Sequence, residues 1–570
     1  MEFNLSTYFN SFDVEKDYSI DISDIDSKLE SVTNSLANNP ESINFNSELL
    51  EDLIELTHGY KTLDLKHQKQ LAYLITSSLS TISHQCSNSI ESGDFVDSID
   101  TFKACLEKFG YLLFVLLIYL GKEDHGQAHL SGSKSKSSSG SQAMTKWKAN
   151  CTQVEDAVDV ISSVVKIDLS KIFVTTPEKD LFIELFTRPM FHLMEVPERM
   201  KVNSIKMLMF KSIAILVKFH GHASVIQNSV LQSLMYYTHL PGYMAELLHI
   251  LDQQYDYNVL TEEVLREISQ IEFNSNDSNG PKSISEFLIK LSELSPRLIL
   301  KQMSCIAQLL DNSNQTLRCS VVETCGNIVV DIIKNQEVIG ESSERNDSHN
   351  SNQQIDGLLD LLQERFLDQN PYVRTKAIQA LTKICNLPVK FTARRQQIVA
   401  LSVRSLDDKS TLVRRNSIKL MSKLVLTHPF SAVHGTQLSY EFWKSKLDEA
   451  EAELEKYIPV APEKNKRLNK ISEDEEDEDN ADKMEIDEKE DDDKENDVNN
   501  KGKNEDANES ESSIDHDELN ASMMEQEQNL PDTNVLVKVK LTVQYYQDAV
   551  EFIEILQTGT NIVSRLLFRK

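Results

Sequence analysis

At 570 residues with a formal net charge of −31, the chain is long enough for several domains or for one extended repeat array. Its 16 Gly and 13 Pro are few, and apolar residues recur at helical rather than alternating spacing, which argues against an all-β fold. Seven Cys, an odd number without a C-x-x-C pair, speak against a disulfide framework or a cysteine zinc site and read as reduced thiols in helical cores; Met1–Leu5 lacks the basic start of a secretory signal.

In chain order, residues 1–130 read as several helices. One runs from Glu48 to His58 and stops at Gly59, an amphipathic one covers Gln68–Ile82, and a buried one covers Phe102–Leu120. Its most apolar part, Tyr111–Leu120, is far shorter than the ~20 residues that span a bilayer, so a soluble protein is expected. Residues 131–144, rich in Ser, Gly and Lys, read as a flexible linker. The block 145–340 holds a helix over Val154–Val165 and another opening at Thr176-Pro177-Glu178, with Thr176 as N-cap. A helix pair, Val202–Phe219 and Asn228–Leu240, turns at Gly221; a polar loop, Asn274–Pro281, precedes a helix over Ser283–Leu294.

Residues 355–460 carry the clearest internal repeats. Val373-Arg374-Thr375-Lys376-Ala377-Ile378 returns 40 residues later as Val413-Arg414-Arg415-Asn416-Ser417-Ile418. An earlier copy, Leu317-Arg318-Cys319-Ser320-Val321-Val322, precedes the middle one by 56 residues. A polar insert at 341–354 accounts for the longer spacing, and a period near 40 matches paired-helix repeats. Such a pair cannot bury its apolar face alone, so the units must stack. The expected fold is all-α, a HEAT-repeat α-solenoid with a long disordered acidic insert. That insert is residues 461–530; its part from Ile471 to Leu530 holds 26 acidic residues against 5 Lys, too polar to form a core. Helix Phe442–Tyr457 precedes it, and residues 531–570 read as the helices of a further, incomplete repeat, so a C-terminal truncation is expected.

Charge is segregated. Pro371–Phe430 holds six Arg and six Lys against Asp407 and Asp408, a net of +10. Arg318, Arg374 and Arg414 hold equivalent repeat positions and read as a structural ladder, each reaching an Asp of a neighbouring unit. The surplus cations Lys376, Lys383, Lys390, Arg394, Arg395, Arg404, Lys409, Arg415, Lys419 and Lys423 are candidates for contact with DNA phosphates or an acidic partner. The acidic insert reads either as a solvating linker or as an electrostatic competitor for them. Thr176, followed by Pro, and Ser472, followed by Glu473-Asp474-Glu475, are candidate phosphosites. No phosphate loop, dinucleotide fingerprint, H-E-x-x-H or G-x-S-x-G occurs, so no catalytic residue, metal or cofactor is expected. His220 and His222 around Gly221 read as turn residues rather than ligands.

The ordered set Asn370-Pro371-Tyr372-Val373-Arg374, Leu387-Pro388-Val389-Lys390, Arg394-Arg395-Gln396, Ser405-Leu406-Asp407-Asp408-Lys409 and Val413–Ile418 resembles the larger HEAT subunit of condensin, its non-SMC regulatory subunit one. His58-Gly59, Leu74–Leu79 and Phe182–Phe186 share the resemblance, which covers most of 1–435 and 535–570; a fungal member is expected. The resemblance implies a non-catalytic scaffold that binds the kleisin, approaches the SMC ATPase subunits and supports mitotic condensation of double-stranded DNA. It places the chain in the nucleus and on chromosomes, with a cytoplasmic pool, away from membranes and small-molecule substrates. The alternative from the residues alone is another helical-repeat adaptor, such as a nuclear transport receptor.

Overall fold

The computed structural model describes residues 3–16, 18, 20, 24–92, 98–122, 138–273, 277–339, 345–387, 392–428, 438–456 and 533–568. Among these residues the protein is all-α, with short 3₁₀ turns and no strand. It divides into two compact units, Met1–Val389 with Ser405–Lys423, and Lys390–Arg404 with Leu424–Lys570.

The first unit opens with α1 (Leu5–Ser11), α2 (Ile25–Asn38), α3 (Ser47–His58), α4 (Leu65–Ser92) and α5 (Ile99–Gly121). Asn46 starts α3 by accepting from Glu48 N and Leu49 N, at 3.1 and 3.3 Å. α5 is long and apolar enough to cross a membrane by length and composition, yet 78% of its apolar window is buried in the protein. It packs between α4 and α7 (Thr176–Met194), and α6 (Ser138–Val164) lies on α4. The α5 C-terminus ends on Arg199, from the single-turn α8 (Pro197–Met200). This guanidinium is fully buried; it donates to Gly121 O at 3.0 Å, to Leu120 O and to Asn150 Oδ1 at 3.2 Å, and lies 5.2 Å from the Trp147 ring centre. A cation here complements the negative end of the helix dipole.

From α9 (Asn203–His220) the architecture becomes a two-layer stack. One layer is α9, α11 (Pro241–Tyr255), α13 (Asn279–Leu294), α16 (Gln315–Ile339) and α18 (Pro371–Ile384), each packed on the next. The other contains α10 (Ala223–Tyr236), α12 (Val259–Gln270) and α17 (Arg345–Glu364); the short α14 (Pro296–Lys301) and α15 (Met303–Ala307) connect them. This is a HEAT solenoid. Gly221 takes φ +72° as the left-handed residue between α9 and α10, and His220 Nε2 meets Val165 O at 2.7 Å. At Gly326 an added Cβ would lie 2.8 Å from the Ala380 Cβ, so α16 and α18 touch almost backbone to backbone.

The second unit contains α19 (Thr392–Arg404), α21 (Tyr440–Glu455) and α22 (Thr533–Phe568); α20 (Thr411–Leu426) ends in it. α22 packs on α19 and α21, with Trp443 fully buried beside Tyr545 and Tyr546.

Four expectations need revision. The linker assigned to 131–144 already turns helical at Ser138, and the polar insert at 341–354 is helical from Arg345, so its residues lengthen α17. The α7 N-cap is Thr175, one residue before Thr176, and Glu178 stands three residues after it, at capping-box spacing. Residues 533–568 form one helix of 36 residues instead of a pair. Gly559 lies within this helix, on the buried stripe of Phe552, Ile553 and Leu556. The acidic expectation for 461–530, Ser472 included, lies outside the described residues.

Candidate nucleic-acid interface

Three turns with the same hydrogen bonds build the site. Asn312, Asp368 and Asp408 each accept, through Oδ1, the N–H two residues on: Asn314 at 2.8 Å, Asn370 at 2.8 Å and Ser410 at 2.7 Å. Six residues after each comes the arginine of the repeat. Its Nη1 ties down its own turn: Arg318 to Asn312 O and Ser313 O at 2.8 and 3.1 Å, Arg374 to Asp368 O and Gln369 O at 2.7 and 3.0 Å, Arg414 to Asp408 O and Lys409 O at 2.6 and 3.0 Å.

The other two guanidinium nitrogens face the next unit. Arg318 grips Asp368 with Nε and Nη2, both at 3.0 Å, and Arg374 grips Asp408 at 2.8 and 2.9 Å. These are two-pronged, largely buried pairs: the side chains of Asp368 and Asp408 are 5% and 13% exposed. Burial by itself pushes both carboxyls up, but the arginine and the backbone N–H of Asn370 or Ser410 outweigh it, so both lie below the ordinary aspartate value. At the two ends the pattern changes. Asn312 stands where the later units have Asp, and no guanidinium of an earlier unit bonds its side chain among the described residues. An unpaired buried carboxylate would be costly there, and a neutral amide avoids it. Arg414 meets no carboxylate among the described residues.

The ten surplus cations separate under the same inspection. Lys376 pairs with Glu323 at 2.6 Å, and Lys383 lies 3.8 Å from the same carboxylate, so a residue 53 positions before Lys376 offsets one of these two charges and sits within reach of both. Arg395 is only 2% exposed and donates to Thr427 Oγ1 at 2.9 Å, which removes it from any nucleic-acid surface. The reason is helical phase: Arg395 shares the inner face of α19 with Ile398, Val399 and Ser402. Arg394 and Lys423 are half-buried and engaged, Arg404 is exposed in the second unit, and Lys390 lies outside the described residues. Lys409, Arg415 and Lys419 remain on the first unit, exposed and without an ion-pair partner among the described residues. Arg415 and Lys419, four apart, share one face of α20, and Lys409 sits in the turn that opens it. Thr176 is exposed as the first residue of α7, followed by Pro177.

Comparison with known proteins gives two family matches. Residues 65–226 match the model of the non-SMC mitotic condensation complex subunit 1, N-terminal region, and residues 243–433 match that of the sister chromatid cohesion protein PDS5. Condensin complex subunit 1 of Saccharomyces cerevisiae is 41% identical over 579 aligned residues, covering 100% of this chain and 47% of that protein. Its counterpart in Schizosaccharomyces pombe is 34% identical over 74% of this chain and 34% of its own length; that of Xenopus laevis is 24% identical over 67% and 28%. The chain therefore spans half or less of the length of these relatives. A solved Pds5–Scc1 complex aligns over 78% of this chain and 68% of that chain with 16% identity and a TM-score of 0.32, too low to carry an argument.

Proposed function

The chain belongs to the condensin complex subunit 1 family, and on that premise we propose that it is a non-catalytic HEAT-repeat scaffold that binds the kleisin and SMC ATPase subunits of condensin and contacts double-stranded DNA during chromosome condensation. Its expected place is the nucleus and the chromosomes, with a cytoplasmic pool. The observation that carries the DNA contact is the row Lys409, Arg415 and Lys419, three exposed cations without ion-pair partners among the described residues, on a rigid turn and helix. Cations held on a stacked scaffold bind phosphates without reading bases. The acidic segment 461–530 acts in this reading as a tethered competitor for the same cations.

Two measurements test it. Affinity purification of the full chain should recover SMC ATPases and a kleisin; recovery of a Ran-type GTPase with cargo instead would overturn the condensin assignment. Duplex DNA binding should be independent of sequence and weaken with salt. Replacing Lys409, Arg415 and Lys419 with Glu should flatten the log–log salt slope by about 2.7, at about 0.9 per phosphate contact. An unchanged slope would remove this row from the DNA interface.

A further inference from the structure

A second site lies in the first unit among aromatic rings. A cavity of about 410 Å³ is lined by Tyr8, Tyr18, Ile20, Glu51, Ile54, Glu55 and His58. Its aromatic walls are fixed from behind. The Tyr18 and His58 rings lie 4.6 Å apart at 55°, and Phe12 is 5.3 Å from His58. Tyr8 is held between Phe3, at 4.9 Å, and Tyr111, at 5.6 Å. His58 Nε2 and Tyr111 Oη are 2.9 Å apart, and the Tyr119 hydroxyl donates to His58 O at 2.7 Å. Burial, with a smaller push from Lys16, lowers the His58 pKa to about 4, so this wall carries no charge at neutral pH.

Carboxylates supply the rest. Glu51 and Glu55, four apart on α3, both line the cavity. Lys28 pairs with Glu55 at 2.5 Å and lies 3.5 Å from Asp52, which does not line the cavity, while Glu51 has no ion-pair partner among the described residues. The ammonium of Lys16 sits 5.6 Å from the Tyr18 ring centre without lining the cavity, so this ring already holds one cation.

We propose that this cage binds the methylated ammonium head of a lysine side chain presented by a basic peptide. Aromatic faces attract a cation through their quadrupoles, and methylation lowers the cost of taking the ammonium out of water. The acidic rim selects the source. A basic peptide brings further positive charge to the unpaired Glu51, whereas a phosphocholine headgroup brings a phosphate that this carboxylate repels.

The test uses the full 570-residue chain and a short basic peptide carrying one trimethyl-lysine. It should bind roughly fivefold or more tightly than the same peptide with unmodified lysine, and phosphocholine should compete less well than choline. Tyr18→Ala should weaken binding about tenfold, while Tyr18→Phe, which keeps the ring, should stay within about threefold. Glu51→Gln should weaken binding and Lys16→Gln should strengthen it. In the unmodified protein the peptide's methyl protons should shift upfield and show contacts to the Tyr8 and Tyr18 rings, a readout that does not depend on any variant folding. Equal affinity for methylated and unmodified peptide, stronger competition by phosphocholine, or methyl protons without contacts to these rings would overturn the proposal.

Discussion

The two ends of the first unit are held together by different chemistry. Toward its C-terminal end the same clasp recurs, an arginine fastening its own turn with one nitrogen and the next unit's aspartate with two. Toward its N-terminus nothing recurs. There, rings from Phe3, Tyr8, Phe12, Tyr18, His58 and Tyr111 interlock, and one buried arginine, Arg199, closes a helix end. Stacking identical modules leaves identical junctions, so one solution can be reused; the N-terminal helices differ in length and order, so each junction is solved separately. Damage should follow the same division. It should be graded and local in the ladder, and abrupt where a single residue serves several helices.

The largest loss should come from Arg199→Ala, which strips two α5 carbonyls and Asn150 of their donor and leaves a hole beside Trp147. About 3–5 kcal/mol should go, comparable to breaking a buried ionic group. Hydrogen exchange should rise together in α5, α6 and α7, with α16 and α18 unaffected. Exchange rising in α18 as well would mean that the unit unfolds as one block and that the comparison is wrong.

Asp408→Ala should cost somewhat less, about 3 kcal/mol, because Arg374 keeps its bonds to Asp368 O and Gln369 O. Exchange should rise in the 405–410 turn and in α18 while α3 and α5 stay protected. Protection unchanged in that turn would show that the clasp contributes no stability.

Acid should separate the regions in a set order. His58 has its pKa depressed from 6.5 to about 4 in the fold, so its contribution is complete above pH 6.5 and shrinks as pH falls toward 4, where only the unfolded chain takes up the proton. His220 and His222, also lowered by burial, act in the same sense. Asp368 and Asp408 are depressed below 3.8, so the clasps stay intact through that window and weaken only as pH falls through their folded values. Exchange measured between pH 6.5 and 4 should show the α3–α5 region loosening first. Loosening of the 365–370 and 405–410 turns in that interval would reverse the assignment.

How far this was legible in the sequence depended on how local each cause is. The positions of Arg318, Arg374 and Arg414 are visible because a repeat displays its own phase, and their aspartates lie in the next turn signal. Glu323 was not visible as the partner of Lys376, since only folding brings α16 against α18. Arg395 differs: its inner-face spacing with Ile398, Val399 and Ser402 is legible in the sequence, and helical phase rather than local charge decides its burial. Arg199 sits in a four-residue helix too short for any periodicity, and Tyr8, Tyr18 and His58 are too far apart in sequence to announce a common wall.

The smallest effect is the most discriminating for the basic face. Arg415 and Arg395 are both arginines of the +10 segment, and composition cannot tell them apart. Arg415 is exposed on α20, with no ion-pair partner among the described residues, so Arg415→Ala should leave stability within about 0.5 kcal/mol. It should weaken DNA binding alike for every sequence and flatten the salt slope by about 0.9. Arg395→Ala removes a buried donor to Thr427, so it should lower stability without changing the salt slope of the folded fraction. Measuring melting and salt dependence on both variants places each residue independently. If Arg395→Ala flattened the slope while Arg415→Ala did not, α19 would have to open its inner face to DNA, and the row on α20 would lose its claim to the phosphates.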